Sequence, residues 1–179
     1  MEDLSLHILD VAENGISAGA SLIKVIVEEN LETDLLKIVI EDNGKGMSSE
    51  FLEKVLDPFV TTRTTRRVGL GLSLFQQSAE EAEGCLSVES SLGTGTRVTV
   101  TMRHSHIDRK PMGDMASTIL TLVEGNPQVD FVYHHRKDSR EYLLDTREIR
   151  VELGEIPLNN PQVVSVIRDN VAEGLRELN

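Results

Sequence analysis

Asp42 is the residue on which chemistry would turn. It follows an alternating apolar run, residues 35–40, and precedes Asn43-Gly44-Lys45-Gly46-Met47. A carboxylate fixed at a strand end can accept a hydrogen bond from an exocyclic amino group such as that of adenine. Gly44 and Gly46 carry no Cβ, so backbone can lie against a flat ring there. The same run is also ordinary turn chemistry. Three further pieces keep a fixed order around it: Asp10 and Asn14 before it, then Gly69-Leu70-Gly71-Leu72 and Gly93-Thr94-Gly95-Thr96 after it.

Asp10 and Asn14 are four residues apart, so they stack on one face of a helix. Asn14 offers a neutral carbonyl oxygen, a suitable hard ligand for Mg²⁺. Asp10, one turn earlier, can take a proton from water or position it. A solvated helix face accounts for the same pair. The glycines at 69 and 71 open a helix whose unpaired amides form an anion site. Arg63, Arg66 and Arg67 add positive charge just before it, and together they suit a triphosphate. The alternative is a flexible basic loop with a glycine hinge. No Gly-Lys-Ser/Thr follows, so this is not a P-loop, nor is it a dinucleotide fingerprint. Residues 93–96 read as a hairpin turn, from which Thr96 can offer its hydroxyl to a base or to Asp42. His7 shares the Asp10–Asn14 face and is expected to line the site. His104 and His106 are expected in a solvent-exposed linker, without metal-ligand spacing.

The elements that must position these residues follow from periodicity. Residues 3–18 read as a helix with Leu4, Ile8, Val11 and Ala18 on its apolar stripe, ended by Gly19. Residues 22–28 and 35–41 alternate and form an antiparallel hairpin. Ser48 or Ser49 caps a short helix through Leu56, closed by Pro58. Residues 59–70 have no periodicity and read as a mobile loop. A helix over 69–83 is stopped by Gly84, and strands follow at 85–90 and 96–102. The expected class is α+β: a two-layer α/β sandwich with helices on one face of a mixed, largely antiparallel sheet. Residues 104–111 are a polar connector. Beyond them, helices near 113–124 and 160–178, a short helical piece capped by Asp145, and strands near 129–134 and 141–144 predict a small α/β appendage over 107–179. It is expected to dock on the first domain, residues 1–106.

Composition narrows the field. At 179 residues the chain holds one domain, or one with a small appendage. Trp is absent and aromatics make up 3%, so the core must be aliphatic. The formal charge of −12 argues against a general nucleic-acid or anionic-membrane surface. The single cysteine, Cys85, excludes an internal disulfide and is expected as a buried small hydrophobe. No apolar run reaches membrane-spanning length and no secretory signal appears, so a soluble cytoplasmic protein is expected.

Together the four pieces resemble the GHKL, or Bergerat-fold, ATP-binding family, which includes sensor histidine kinases, type II topoisomerases, mismatch-repair ATPases and heat-shock chaperones. The resemblance covers residues 4–103. Residues 9–14 resemble the N box, which implies Asn14 as the Mg²⁺ ligand. Asp10 stands where hydrolysing members carry Glu, and a shorter carboxylate can still orient water. Residues 42–46 resemble the G1 box, which implies that Asp42 reads the adenine amino group beside Gly44, Gly46 and Met47. Asp57-Pro58-Phe59-Val60-Thr61-Thr62 resembles the F box of histidine kinases, opening an ATP lid that carries Thr61, Thr62 and Arg63. Gly69, Leu70, Gly71 and Leu72 resemble the G2 box at the lid's end, and Gly93 to Thr96 the last glycine box.

The F-box-like run places the chain nearest the histidine-kinase branch. A complete sensor kinase would carry a dimerisation domain with a phospho-accepting His before the N box, where this chain begins. The resemblance implies ATP and Mg²⁺ as ligands. The γ-phosphate would go to a protein partner, or to water with help from Asp10. The rivals are an ATP-driven clamp that forms a homodimer on lid closure, and an anti-sigma-like regulator that binds nucleotide without turnover. The appendage matches no pattern, and by elimination it is the expected partner-binding element.

Overall fold

The strongest alternating runs build the centre of a sheet. The computed structural model describes residues 3–57 and 70–179. In it, β1 (Leu22–Asn30) and β2 (Leu35–Asp42) pair antiparallel, from Ile23 opposite Asp42 to Asn30 opposite Leu35. Side chains alternate between faces along a strand. Ile23, Val25 and Val27 of β1 therefore share one buried face with Leu36, Ile38 and Ile40 of β2. β3 (Cys85–Ser91) and β4 (Gly95–Arg103) extend the β2 side, giving the order β3-β4-β2-β1-β5-β6.

Helices cover the buried face. α1 (Leu4–Ser17) is capped by Asp3, whose Oδ1 accepts from the Leu6 amide at 3.1 Å. Gly19 stops it at φ +80°. α3 (Leu70–Glu81) lies beside α1. Between β2 and α3, α2 is helical only over Ser49–Leu52, capped by Ser48, and continues as turns to Leu56. The left-handed residue after α3 is Glu83, at φ +56°. Gly84 has a different reason to be glycine: a Cβ there would run into the Thr101 carbonyl of β4.

The opposite face of the sheet carries Lys24, Glu28, Lys37, Glu41, Arg97 and Arg136, half-buried or exposed. Arg136 pairs with Glu28 at 2.7 Å, and Arg97 pairs with Glu41. Each such pair contributes little to stability, but the charges keep this face in water. Cys85 lies on that face and is exposed, contrary to expectation. Leu86 and Val88 point to the helices, so the alternation sends Cys85 the other way.

The segment over 107–179, expected as an appendage, continues the same sheet. β5 (Asp130–Lys137) lies parallel to β1, and β6 (Arg140–Asp145) pairs antiparallel on its far side. α4 (Met115–Gly125) and α6 (Pro161–Leu178) join the helical layer, while α5 (Thr146–Leu153) is capped by Asp145. Phe131, Tyr133, Ile119 and Ile167 belong to one buried core with Ile8 and Ile23. The connector is tied down as well. The carbonyls of Pro111 and Met112 accept from Leu4 and Ser5 at 2.9 and 2.8 Å, satisfying amides that open α1.

Glu29 joins the two parts of the chain. Its carboxylate lies 2.7 Å from His104 Nε2 of the connector and 2.7 Å from His135 Nε2 of β5. His135 Nδ1 in turn meets the Tyr133 hydroxyl at 2.8 Å. His104 is therefore half-buried rather than exposed, and so is His106, which lies 3.7 Å from Glu83. Burial alone would raise the Glu29 pKa. The bonds from His135 and His104, with the nearby His135 and Lys137 charges, overcome that and hold it at about 2. A folded pKa below the ordinary value means full stabilisation above about pH 4.5, lost as pH falls through 2. Glu29→Gln is expected to cost about 2 kcal/mol at pH 7. It should also flatten the fall in stability between pH 4.5 and 2. Urea unfolding at several pH values measures both, and an unchanged acid slope would contradict the assignment.

Candidate nucleotide site

Asp42, Thr96 and Ser90 form one row across neighbouring strands: Thr96 stands opposite Asp42 on β2 and opposite Ser90 on β3. The alternation puts all three on the helix side, at the strand ends where α1 passes over. Gly15 of α1 roofs Asp42, and a Cβ on Gly15 would stand 2.8 Å from the Asp42 Cβ. Asp42 Oδ1 accepts from the Gly44 amide at 2.9 Å. Burial pushes the Asp42 pKa up, and the Gly44 and Thr96 amides oppose that shift.

The loop after Asp42 is stitched on three sides. Asn43 Oδ1 accepts from the Ser21 and Leu22 amides at 2.9 and 3.0 Å. The Lys45 amide donates to the Ala18 carbonyl at 2.9 Å. Gly46 has φ +69°, and a Cβ there would run into the Ser91 carbonyl. The half-buried Met47 donates its amide to Ser90 Oγ at 2.9 Å. The Thr96 hydroxyl bonds Ser90 Oγ at 2.9 Å, rather than Asp42.

Asp10 and the opening of α3 also meet. A Cβ on Gly71 would overlap the Asp10 carboxylate, so the first turn of α3 passes directly against it. Asn14 lies exposed one turn further along α1. Leu70 begins α3 and is exposed, and Leu72 packs against the core. Thr61, Thr62, Arg63 and Gly69 lie outside the described residues, as do Pro58, Arg66, Arg67 and the rest of the expected lid before Leu70.

His7 does not line an open face. It is 2% exposed and stacks on Phe75 of α3, with ring centroids 4.8 Å apart and planes at 7°. Burial lowers its pKa to about 4. The ring is neutral at pH 7 and acts as an aromatic plate in the α1–α3 seam.

Sequence reasoning missed Gly15 and Ser90. Gly15 left a signal, because glycine inside a helix costs about 1 kcal/mol and needs a cause. Ser90 left none, since one serine in a polar strand end looks like any other.

Asp42 at a strand end roofed by α1, with Asp10 of the same helix against the opening of α3, makes a candidate nucleotide site in a two-layer sandwich. The model of the family described as "Histidine kinase-, DNA gyrase B-, and HSP90-like ATPase" matches residues 2–106. This is more than half of the chain, and the chain belongs to that family, as an ATP-binding domain of the histidine-kinase type. It is 34% identical over 104 residues to a "Probable C4-dicarboxylate sensor kinase" of Halalkalibacterium halodurans, covering 55% of this chain and 19% of that one. It is 33% identical over 95 residues to "Sporulation kinase D" of Bacillus subtilis, covering 53% and 19%. The chain thus spans about a fifth of the length of these relatives. The solved N-terminal domain of a DNA repair protein superposes with a TM-score of 0.60 at 18% identity, covering 81% of this chain and 53% of that one. That likeness concerns the fold. Among the described residues, no helix is long and apolar enough to cross a membrane.

Proposed function

We propose that this protein binds Mg-ATP and passes the γ-phosphate to a protein partner, as a domain of kinase type. The observation that carries this reading is the convergence of three separate pieces: Gly15 on Asp42, Gly71 on Asp10, and Gly46 on the Ser91 turn. At Gly46 the neighbour is a backbone carbonyl, and at Gly15 and Gly71 it is a side chain, Asp42 and Asp10, held close against helix backbone. Asp42 would accept a hydrogen bond from the adenine amino group. The α3 opening at Leu70 and Gly71 would take phosphate, with Gly69, Thr61, Thr62 and Arg63 of the expected lid.

Mg²⁺ fits the residues present. Among the described residues no group of three His, Cys, Asp or Glu could hold a metal ion by itself. A cation that keeps most of its waters and needs only the Asn14 oxygen and phosphate oxygens suits such a site. When bound, it neutralises phosphate charge. Asp10 would be the group to take a proton from water, which makes hydrolysis the competing outcome.

The histidines favour transfer to another molecule. Four of the five lie against a carboxylate, and the fifth is buried. His7 is buried against Phe75, and His104 and His135 hold Glu29. His106 lies 3.7 Å from Glu83, and His134 lies 2.8 Å from Glu141.

The test is incubation with Mg²⁺ and γ-labelled ATP, following bound nucleotide, free phosphate and label on the chain. The expected result is Mg²⁺-dependent binding, weakened at least about tenfold in Asn14→Ala, with no stable label on the chain. Label retained on a histidine would overturn transfer to a partner. Stoichiometric phosphate release with no partner present would make the protein a hydrolase.

A further inference from the structure

The Ser90 hydroxyl has one proton and two acceptor positions, and all three are used. The Met47 amide donates to its oxygen at 2.9 Å. Its own proton goes to the Gly95 carbonyl at 2.8 Å, because a carbonyl can only accept. The third contact is the Thr96 hydroxyl at 2.9 Å. With the Ser90 proton already committed, Thr96 must be the donor in that contact. The Thr96 hydroxyl thus has its proton turned toward β3, and only lone pairs remain for anything else.

We propose that Ser90 is a positioning residue for purine choice: by holding the Thr96 proton, it makes the Asp42–Thr96 pair an acceptor-only edge. This rests on the reading of Asp42 as the group that meets the base. Asp42 and Thr96 stand opposite each other, half-buried, on the helix face. An ionised carboxylate accepts and cannot donate. Adenine carries an amino group with two hydrogens at position 6. Hypoxanthine carries a carbonyl oxygen there, so its lone pairs would face lone pairs on both side chains. A free Thr96 hydroxyl could rotate and donate to that oxygen, and Ser90 removes the option. The discrimination is thereby set two bonds away from the base, by a residue on the edge strand that need not touch the ligand.

ADP and IDP differ at position 6 and in the proton that hypoxanthine carries on N1, and both avoid turnover; the N1 difference is the same in every variant, so calorimetric titration isolates the effect as the change in their affinity ratio between variants. The native protein is expected to prefer ADP by about 100-fold or more. Ser90→Ala should reduce that preference about tenfold, and Ser90→Thr, which keeps the hydroxyl, should restore it. Thr96→Val should also reduce the preference, and in that background Ser90→Ala should change it no further, because the two act as a unit. Parallel weakening of both nucleotides in Ser90→Ala, with the ratio intact, would reduce Ser90 to a brace for the loop and overturn the proposal. An unchanged ratio in Thr96→Val overturns it even where Ser90→Ala fails to fold. Native protein that holds ADP and IDP alike would instead remove the reading of Asp42, and protein that binds neither would remove the proposed function.

Discussion

Asp42→Asn is expected to lower nucleotide affinity by at least about 100-fold while leaving the apo protein as stable as the native chain, or more so. The substitution keeps shape, and its carbonyl oxygen can still accept from the Gly44 amide. What changes is the second arm, which becomes an NH₂ group. A donor then faces the donor of the adenine amino group, and the bond becomes a repulsion. Stability should not suffer, because burial already disfavours the Asp42 charge. A raised folded pKa marks ionised Asp42 as a cost to the fold at neutral pH, and a neutral isostere removes it. Acid should mimic the substitution. Protonated Asp42 loses its acceptor character, and its raised pKa places that loss above the ordinary carboxylate value of 3.8. Thermal scans with and without ADP read both halves of the result. Native-like stabilisation by ADP in Asp42→Asn would remove Asp42 from the base-binding role.

What the sequence revealed about this site was order and type, and what it hid was contact. Asp42, Gly44 and Gly46 announce a strand end followed by close backbone, and the structure brings that loop against Ser91 and Gly95. The Asp10–Asn14 spacing placed both residues correctly on one helix, but nothing in a spacing of four shows that α3 will press Gly71 against Asp10. That contact depends on packing between residues about sixty positions apart. His7 shows the same limit. Helical spacing groups it with Asp10, yet its ring found Phe75 and became core. Cys85 shows what a strand's start leaves open: the strand begins where the sequence places it, but its first residue can fall on either face, and here Leu86 and Val88 take the helix side. The larger surprise is β5. Its alternation was legible, but its partner was not, because parallel pairing with β1 joins residues more than one hundred positions apart. The connector, polar and ending in proline, reads as a boundary. In the structure its carbonyls cap α1 and its His104 holds Glu29.

The last glycine turn permits a comparison within three residues. Gly93 and Gly95 both have positive φ, +83° and +97°. Either would strain an alanine by about 1 kcal/mol through backbone conformation alone. Their surroundings differ. A Cβ on Gly93 meets nothing within 4 Å. A Cβ on Gly95 would run into the Asp42 carbonyl and stand 2.9 Å from the Asn43 Cα. Those are backbone atoms at the end of a central strand, and no rotamer can move them aside. Gly95→Ala is therefore expected to cost roughly 3–5 kcal/mol, a fall in thermal midpoint of about 10 °C for a chain of this size. Gly93→Ala should lower it by about 3 °C. The larger effect should carry a functional cost with it, because the displaced atoms belong to Asp42 itself. Whatever fraction of Gly95→Ala remains folded at low temperature should bind ADP weakly, while Gly93→Ala should bind as the native protein does. Scanning calorimetry and ADP titration on the two variants side by side separate conformational strain from contact. Equal falls in midpoint would mean that positive φ is the whole requirement, and the close approach of the turn to Asp42 would then have no energetic weight.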